Sequence, residues 1–274
     1  MSPAAFPDWG AYIAALPGQP RNIDKAAFTS EGAGTFHDLW RIAGYPGIGV
    51  LAGNGTIYNR ATLGAIPINT VTQSKALYLG RVHLGCGSIG TPILYDRLTC
   101  NNSLVGNTIG AQVFTVPLVP SRHTMGRGVQ IWGEIYLAIG ATASSMGVTY
   151  VNQSGVGGRV AVYQHPANAE TVNQLVRFEL QGGDTGVRSA SQLQISLSTG
   201  ALGSMGITLL RRIAEVPVTL AGGSQTLGPA ELGLPWVDPE ACMAAMIFCS
   251  TTAMSFMEGS LNLVEGEPIP LDSM

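Results

Sequence analysis

The chain has 274 residues; 46% are hydrophobic, only 11% are charged, and the net charge is −3. Ordinary soluble domains carry roughly 25% charged residues, and this profile excludes both a disordered chain, which lacks apolar residues, and a basic nucleic-acid binder, which needs clustered Lys and Arg. The longest apolar stretch, Ala241 to Phe248, falls far short of the ~20 residues that a bilayer span takes, so a mean hydropathy of +0.25 points to a large core and buried interfaces and not to a membrane.

In chain order, Met1 to Gly10 holds no basic region followed by an apolar run, so no secretory signal is expected. Residues 1–70 differ from the rest: Pro3, Pro7, Pro17, Pro20 and Pro46 break them up. Two helical patches are predicted. Asp8 to Leu16 starts on an N-cap aspartate and stops at Pro17-Gly18. Ser30 to Ala43 places Phe36, Leu39, Trp40 and Ile42 on roughly one face and ends at Gly44. With Trp9, Tyr12 and Phe28, these aromatics are too many for a free tail. The region is expected to be an arm lying on its own core or on a neighbour.

Beyond it, residues 71–274 are expected to form one antiparallel β-sandwich or jelly-roll-like domain, all-β in class. From about Lys75 the apolar period becomes two. Strands are predicted at Ala76–Leu84, Pro92–Leu98, Gln112–Val119, Val129–Ile139, Gly147–Asn152, Arg159–Tyr163, Leu175–Leu180, Gln192–Ser198, Ile207–Ile213, Ala244–Ser250 and Ser260–Val264. Gly, Asn, Ser and Asp clusters separate them, the spacing of antiparallel sandwiches. No long helical pattern intervenes, which argues against a parallel α/β sheet.

The motifs that spell chemistry lack its context. Gly85-Cys86-Gly87-Ser88-Ile89-Gly90 fits G-x-G-x-x-G, but another strand comes after it where a dinucleotide site needs a helix, and no carboxylate lies near Gly110. It reads as a glycine-rich strand connection. Asp184-Thr185-Gly186 spells an aspartic-protease triplet, but no second triplet exists and no apolar strand leads into it, so a turn is expected. His37, His83, His123 and His165 stand at no metal-ligating spacing. Neither a cofactor nor a metal is expected, and no catalytic constellation is visible. Cys86, Cys100, Cys242 and Cys249 form no C-x-x-C pair. Buried free thiols are the expectation, with a Cys86–Cys100 bridge left open.

Five stretches carry a family likeness: Leu39-Trp40-Arg41-Ile42-Ala43-Gly44, the strand Pro92–Ser103 with its core Tyr95-Asp96-Arg97-Leu98, the segment Arg127–Gly155, the turn Gln181–Gly200, and the ending Gly259–Gly266. The chain resembles a group of tailed-bacteriophage structural proteins from about Leu39 to Gly266. The resemblance implies a virion protein attached to the capsid, and leaves open decoration protein, minor capsid protein or tail component.

In a strand, Asp96 and Arg97 point to opposite faces, so each needs a partner from another strand or subunit. Trp9, Phe36, Trp40, Arg97 and Trp236 are the candidate contact residues, with the chain itself and the major capsid protein as expected partners. Neither nucleic acid nor membrane is an expected partner. The expected function is that of a non-enzymatic virion protein, made in the host cytoplasm, which stabilises the particle through subunit contacts. The alternative is a tail or receptor- and carbohydrate-binding protein, for which Trp132 and Trp236 are the aromatic candidates; Trp132, in a strand, is expected in the core, and Trp236, after Pro235, in a loop.

Overall fold

The computed structural model describes residues 6–16, 20–28, 32–51, 53–68, 71–72, 74–251 and 254–268. Among them a short helix, α1 (Trp9–Ala15), opens the chain, and the Asp8 carboxylate caps it by accepting from the Ala11 amide at 2.8 Å. Four strands come next: β1 (Arg21–Phe28), β2 (Thr35–Asp38), β3 (Gly44–Tyr45) and β4 (Thr56–Ile57). Then come β5 (Ala76–Cys86), β6 (Gly90–Leu104), β7 (Gly110–Leu118), β8 (Val129–Leu137), β9 (Ser144–Asn152), β10 (Arg159–His165), β11 (Gln174–Phe178) and β12 (Val187–Ile195). The last elements are β13 (Ser204–Glu215), β14 (Ser224–Leu227), α2 (Pro229–Leu232), β15 (Trp236–Val237), β16 (Met243–Cys249) and β17 (Met254–Gly266). The fold is all-β, and its strand pairings are antiparallel.

The strands form three sheets. The middle one closes on itself. Its order runs β13-β8-β11-β2-β16-β6, and β6 pairs back onto β13, completing a six-stranded ring with β4 attached to β6. Alternation sorts the side chains of the ring into two sets. On β16, Ala244 and Met246 point inward, as does Cys242 just before it, while Met243, Ala245, Ile247 and Cys249 point outward. On β8, Trp132 faces inward, while Val129, Ile131 and Ile135 face outward.

The two outer sheets cover opposite sides of this ring. A six-stranded sheet (β14-β5-β17-β1-β3, with β15 on β5) packs Ile23, Leu79, Val82, Leu84 and Leu261 against Leu94, Met243 and Ile247 of the ring. A four-stranded sheet (β10-β9-β12-β7) packs Val148, Tyr150, Leu193 and Ile195 against Ile131, Phe178, Ile207 and Leu209. Burying each such side chain stabilises the fold by about 1.5–3 kcal/mol before entropy is counted.

All the strands expected from the alternation are present. The Ser30–Ala43 helix is not: among its described residues, 32–43, the chain forms β2. Its residues pair with β11 on one side and β16 on the other, and that ladder overrides the helix-like spacing of Phe36, Leu39 and Trp40. Nor does a break in the sheets fall near residue 70, because β1 lies between β17 and β3 in the outer sheet and β2 completes the ring. The expected arm therefore supplies strands to two sheets. The G-x-G-x-x-G run connects β5 to β6, and the four cysteines are buried thiols outside any disulfide.

Candidate assembly surface and the charged centre beneath it

Three charged side chains meet inside the ring. Asp38 lies on β2, Arg97 on β6 and Glu134 on β8, which are alternate strands of the ring. Side chains from alternate strands form one layer across a closed sheet. Arg97, which is fully buried, donates from Nη1 to Asp38 Oδ2 at 3.1 Å and from Nη2 to Glu134 Oε2. Asp38 Oδ1 accepts from the Tyr95 hydroxyl at 2.6 Å and from the Trp40 amide at 3.1 Å. The Arg97 guanidinium also lies 4.8 Å from the Tyr58 ring centroid and 5.3 Å from that of Trp40. One cation thus faces two carboxylates in a dry interior. Burial and the nearby Glu134 carboxylate raise the Asp38 pKa to about 6 against the pull of Arg97.

Asp96, the neighbour of Arg97, points the other way and is held separately. Arg122 grips it in a fork, with Nε 2.7 Å from Oδ2 and Nη2 on Oδ1, and the Cys242 amide donates to Oδ1 at 2.9 Å. Arg122 also donates to the carbonyls of Tyr58 at 2.6 Å and Arg97 at 2.8 Å. These bonds tie β6 to the segment running from β3 to β5.

That segment covers Trp40 and contributes Tyr58, two large side chains of the ring's inner cluster. The Trp40 indole donates to the Val50 carbonyl at 3.0 Å, and Gly49 lies against the Trp40 ring, where a Cβ would collide. Gly64 approaches the Gly49 backbone as closely. The outer side of the cap presents Tyr45, Ile48, Val50, Leu51, Ile57 and Leu63, which are 39–64% exposed. Between Arg41 and Lys75 the sequence has one charged residue, Arg60, and it pairs with Glu240 at 3.2 Å. The edge strand β7 adjoins the cap: Val116 stands where a Cβ on Gly55 would lie. Val113, Val116 and Val119 are exposed there, and residues 109–120 carry no charge.

The candidate contact residues therefore divide. Trp9 is exposed on α1, at 64%. Phe36 is half-buried in the ring, its ring 5.1 Å from Trp132 and 4.8 Å from Phe248. Trp40 and Arg97 lie inside the ring and do not reach the surface of the chain, because their partners are its own strands. Trp236 is half-buried on β15, edge-on to His123 at 5.4 Å. Trp132 is core, as its place in a strand led one to expect. The exposed cap residues were missed because they are scattered aliphatics without strand or helix period. The near absence of charge from Ile42 to Ser74 was the signal that could have found them.

Asp184 of the Asp-Thr-Gly triplet is structural. It binds Arg159 through Nε at 2.9 Å and Nη2 at 3.1 Å, accepts from the Asn152 amide group at 2.7 Å, and takes the Tyr150 hydroxyl. Among the described residues no group of three or more His, Cys, Asp or Glu side chains is placed to hold a metal ion, and no helix is long and apolar enough to cross a membrane.

No family model matches the chain, and no curated protein matches it significantly. Among solved structures, it is similar to the T=1 particles derived from infectious bursal virus, at 9% identity over 98% of this chain and 82% of that one, with a TM-score of 0.20. It is likewise similar to the VP2 subviral particle of infectious bursal disease virus, at 11% identity over 98% and 84%, with a TM-score of 0.20. Likeness at this level does not establish a shared fold.

Proposed function

We propose that this chain is a structural, non-catalytic component of a tailed-bacteriophage particle, a capsid decoration or minor capsid protein that binds its own copies and the major capsid protein. The observation that carries the reading is the cap. It presents six exposed large apolar side chains and, from Ile42 to Ser74, a single charged residue, itself paired. Such a face loses little when it leaves water, whereas each unpaired buried charge costs several kcal/mol. Exposed apolar patches of this kind mark interaction sites. The sequence resemblance to phage structural proteins supports the same reading and supplies the particle. Hydrogen bonds from Trp40 to the Val50 carbonyl and from Arg122 to the Tyr58 carbonyl fasten the cap to the ring, which lowers the cost of ordering it on binding. The test is to add purified chain to phage shells assembled without it. Saturable binding, lost on Leu63→Asp, is the expected result; shells that take up none of it would refute the proposal.

A second reading, a tail or receptor-binding protein, is favoured by one feature. The outer face of the six-stranded sheet has a cavity of about 420 Å³ lined by Asn22, Asp24, His83, Phe256 and Glu258 among others. Polar groups around one aromatic ring suit a polyhydroxylated ligand. Glycan binding by the lone chain, abolished by Asp24→Ala, distinguishes this reading from the first.

A further inference from the structure

The end of β17 lies beside an aromatic slot. Phe6 and Trp9 each stand edge to face on Tyr12, with ring centroids 5.5 Å apart in both pairs, and Phe6 continues the stack to Tyr78 at 6.2 Å. Pro229, Ala230 and Leu234 form the opposite wall of a cavity of about 340 Å³. The slot is firmly built. The Tyr12 hydroxyl donates to the Gly80 carbonyl at 2.7 Å, and the Asn262 side chain donates to the Leu16 carbonyl at 3.4 Å, so α1 is fastened to β5 and β17. The carboxylate among its described lining residues, Asp8, is occupied in capping α1. Yet Trp9 remains 64% exposed.

The chain leaves β17 beside this slot. The Tyr78 hydroxyl donates to the Glu267 carbonyl at 2.7 Å, and the Glu267 side chain pairs with Lys75. The next residues are Pro268-Ile269-Pro270-Leu271, of which 269 onward lie outside the described residues. This stretch is uncharged and apolar, and its alternating prolines favour the polyproline II conformation, which aromatic-lined grooves bind at low entropic cost. Four extended residues reach about 13 Å, and the Phe6 ring is 6.2 Å from that of Tyr78. Glu267 therefore ends the described chain within reach of the slot.

We propose that Pro268–Leu271 docks in the slot formed by Phe6, Trp9, Tyr12, Pro229 and Leu234 of the same chain, clasping α1 to the six-stranded sheet. The proposal is independent of any role in a virus particle. Its probe is Trp9, read as the difference between the chain and its Trp9→Phe variant. Removing residues 268–274 should shift the Trp9 emission to the red and increase its quenching by iodide. A synthetic peptide of residues 267–273 added to the shortened chain should reverse both changes with saturation. A full-length Pro268→Ser, Pro270→Ser, Leu271→Ser variant should show the same exposure, and it serves if the shortened chain does not fold. Unchanged Trp9 emission in both variants would overturn the proposal. So would a full-length signal that depends on protein concentration, since that assigns the segment to a neighbouring copy.

Discussion

Arg97 sets the chemistry of the ring interior, and its surroundings define two expected outcomes. Removing one partner of a buried ion pair leaves a charge stranded and costs about 3–5 kcal/mol. Arg97→Met leaves Asp38 and Glu134 facing each other, so denaturant unfolding should show a loss of that size, and adding Asp38→Asn should recover part of it. The second outcome is a pH dependence. Asp38 titrates at about 6 in the folded chain against an ordinary 3.8. Across that window the folded state holds a proton that the unfolded state has released. Stability due to this group therefore falls as pH rises from about 4 to about 6, and Asp38→Asn should remove that part of the slope. Asp184 behaves oppositely. Its hydrogen bonds from Arg159 and Tyr150 lower its pKa from 3.8 to about 2. Its contribution is present above the ordinary value and is lost as pH falls toward about 2, so Asp184→Asn should flatten the acid limb of the stability curve. The opposite facing of Asp96 and Arg97 was legible from strand alternation. Their partners, at positions 122, 38 and 134, were not, because no local pattern links strands that meet only across the closed ring.

At the level of elements, the period-two pattern located the strands after residue 75 except the short β14 and β15, but not where the pattern slips. On β5, Leu77 and Leu79 face the core, and so do Val82 and Leu84; the parity changes at Gly80. The pairing with β17 shows the same irregularity, with Asn262 opposite Arg81 and Leu263 opposite Leu79. Such a bulge adds one residue and reverses the facing of everything beyond it. β1 was not recognised because its inward set includes Lys25, which is buried and donates to the carbonyls of Ile42 and Pro46 at 3.2 and 2.6 Å. β2 was read as helix because Phe36 and, just beyond the strand, Trp40 stand at helical spacing, while His37 and Asp38 between them are polar and buried. Trp40→Ala should lower the stability of the isolated chain by about 3–5 kcal/mol, the range for removing a buried large aromatic, as measured by denaturant unfolding. A contact residue alone would leave the isolated chain unaffected. Gly49→Ala should also destabilise, since its Cβ would enter the Trp40 ring, and it should displace the cap from the ring.

For the molecule as a whole, composition was the more informative guide. A chain with 11% charged residues covers its surface with uncharged groups, and the cap and β7 carry many of its exposed apolar side chains. The all-β class was legible because alternation is local. Closure of the middle sheet was not, because it depends on β6 pairing with β13 more than a hundred positions away, and β2 with β11 and β16. The same closure buries Trp40 and Arg97, which sequence alone had assigned to contacts between chains. Copies of the chain are proposed to associate through the apolar cap. Few charges are available there to be screened, so association should withstand added salt. The decisive experiment is sedimentation velocity of the purified chain over a range of concentrations, at low and high salt, beside an Ile48→Asp, Leu63→Asp variant altered only at exposed positions. Association through the cap requires salt-resistant oligomers of the parent chain and a folded monomer for the variant; a parent chain that stays monomeric at every concentration, or a variant that assembles equally well, would show that the cap is not the interface.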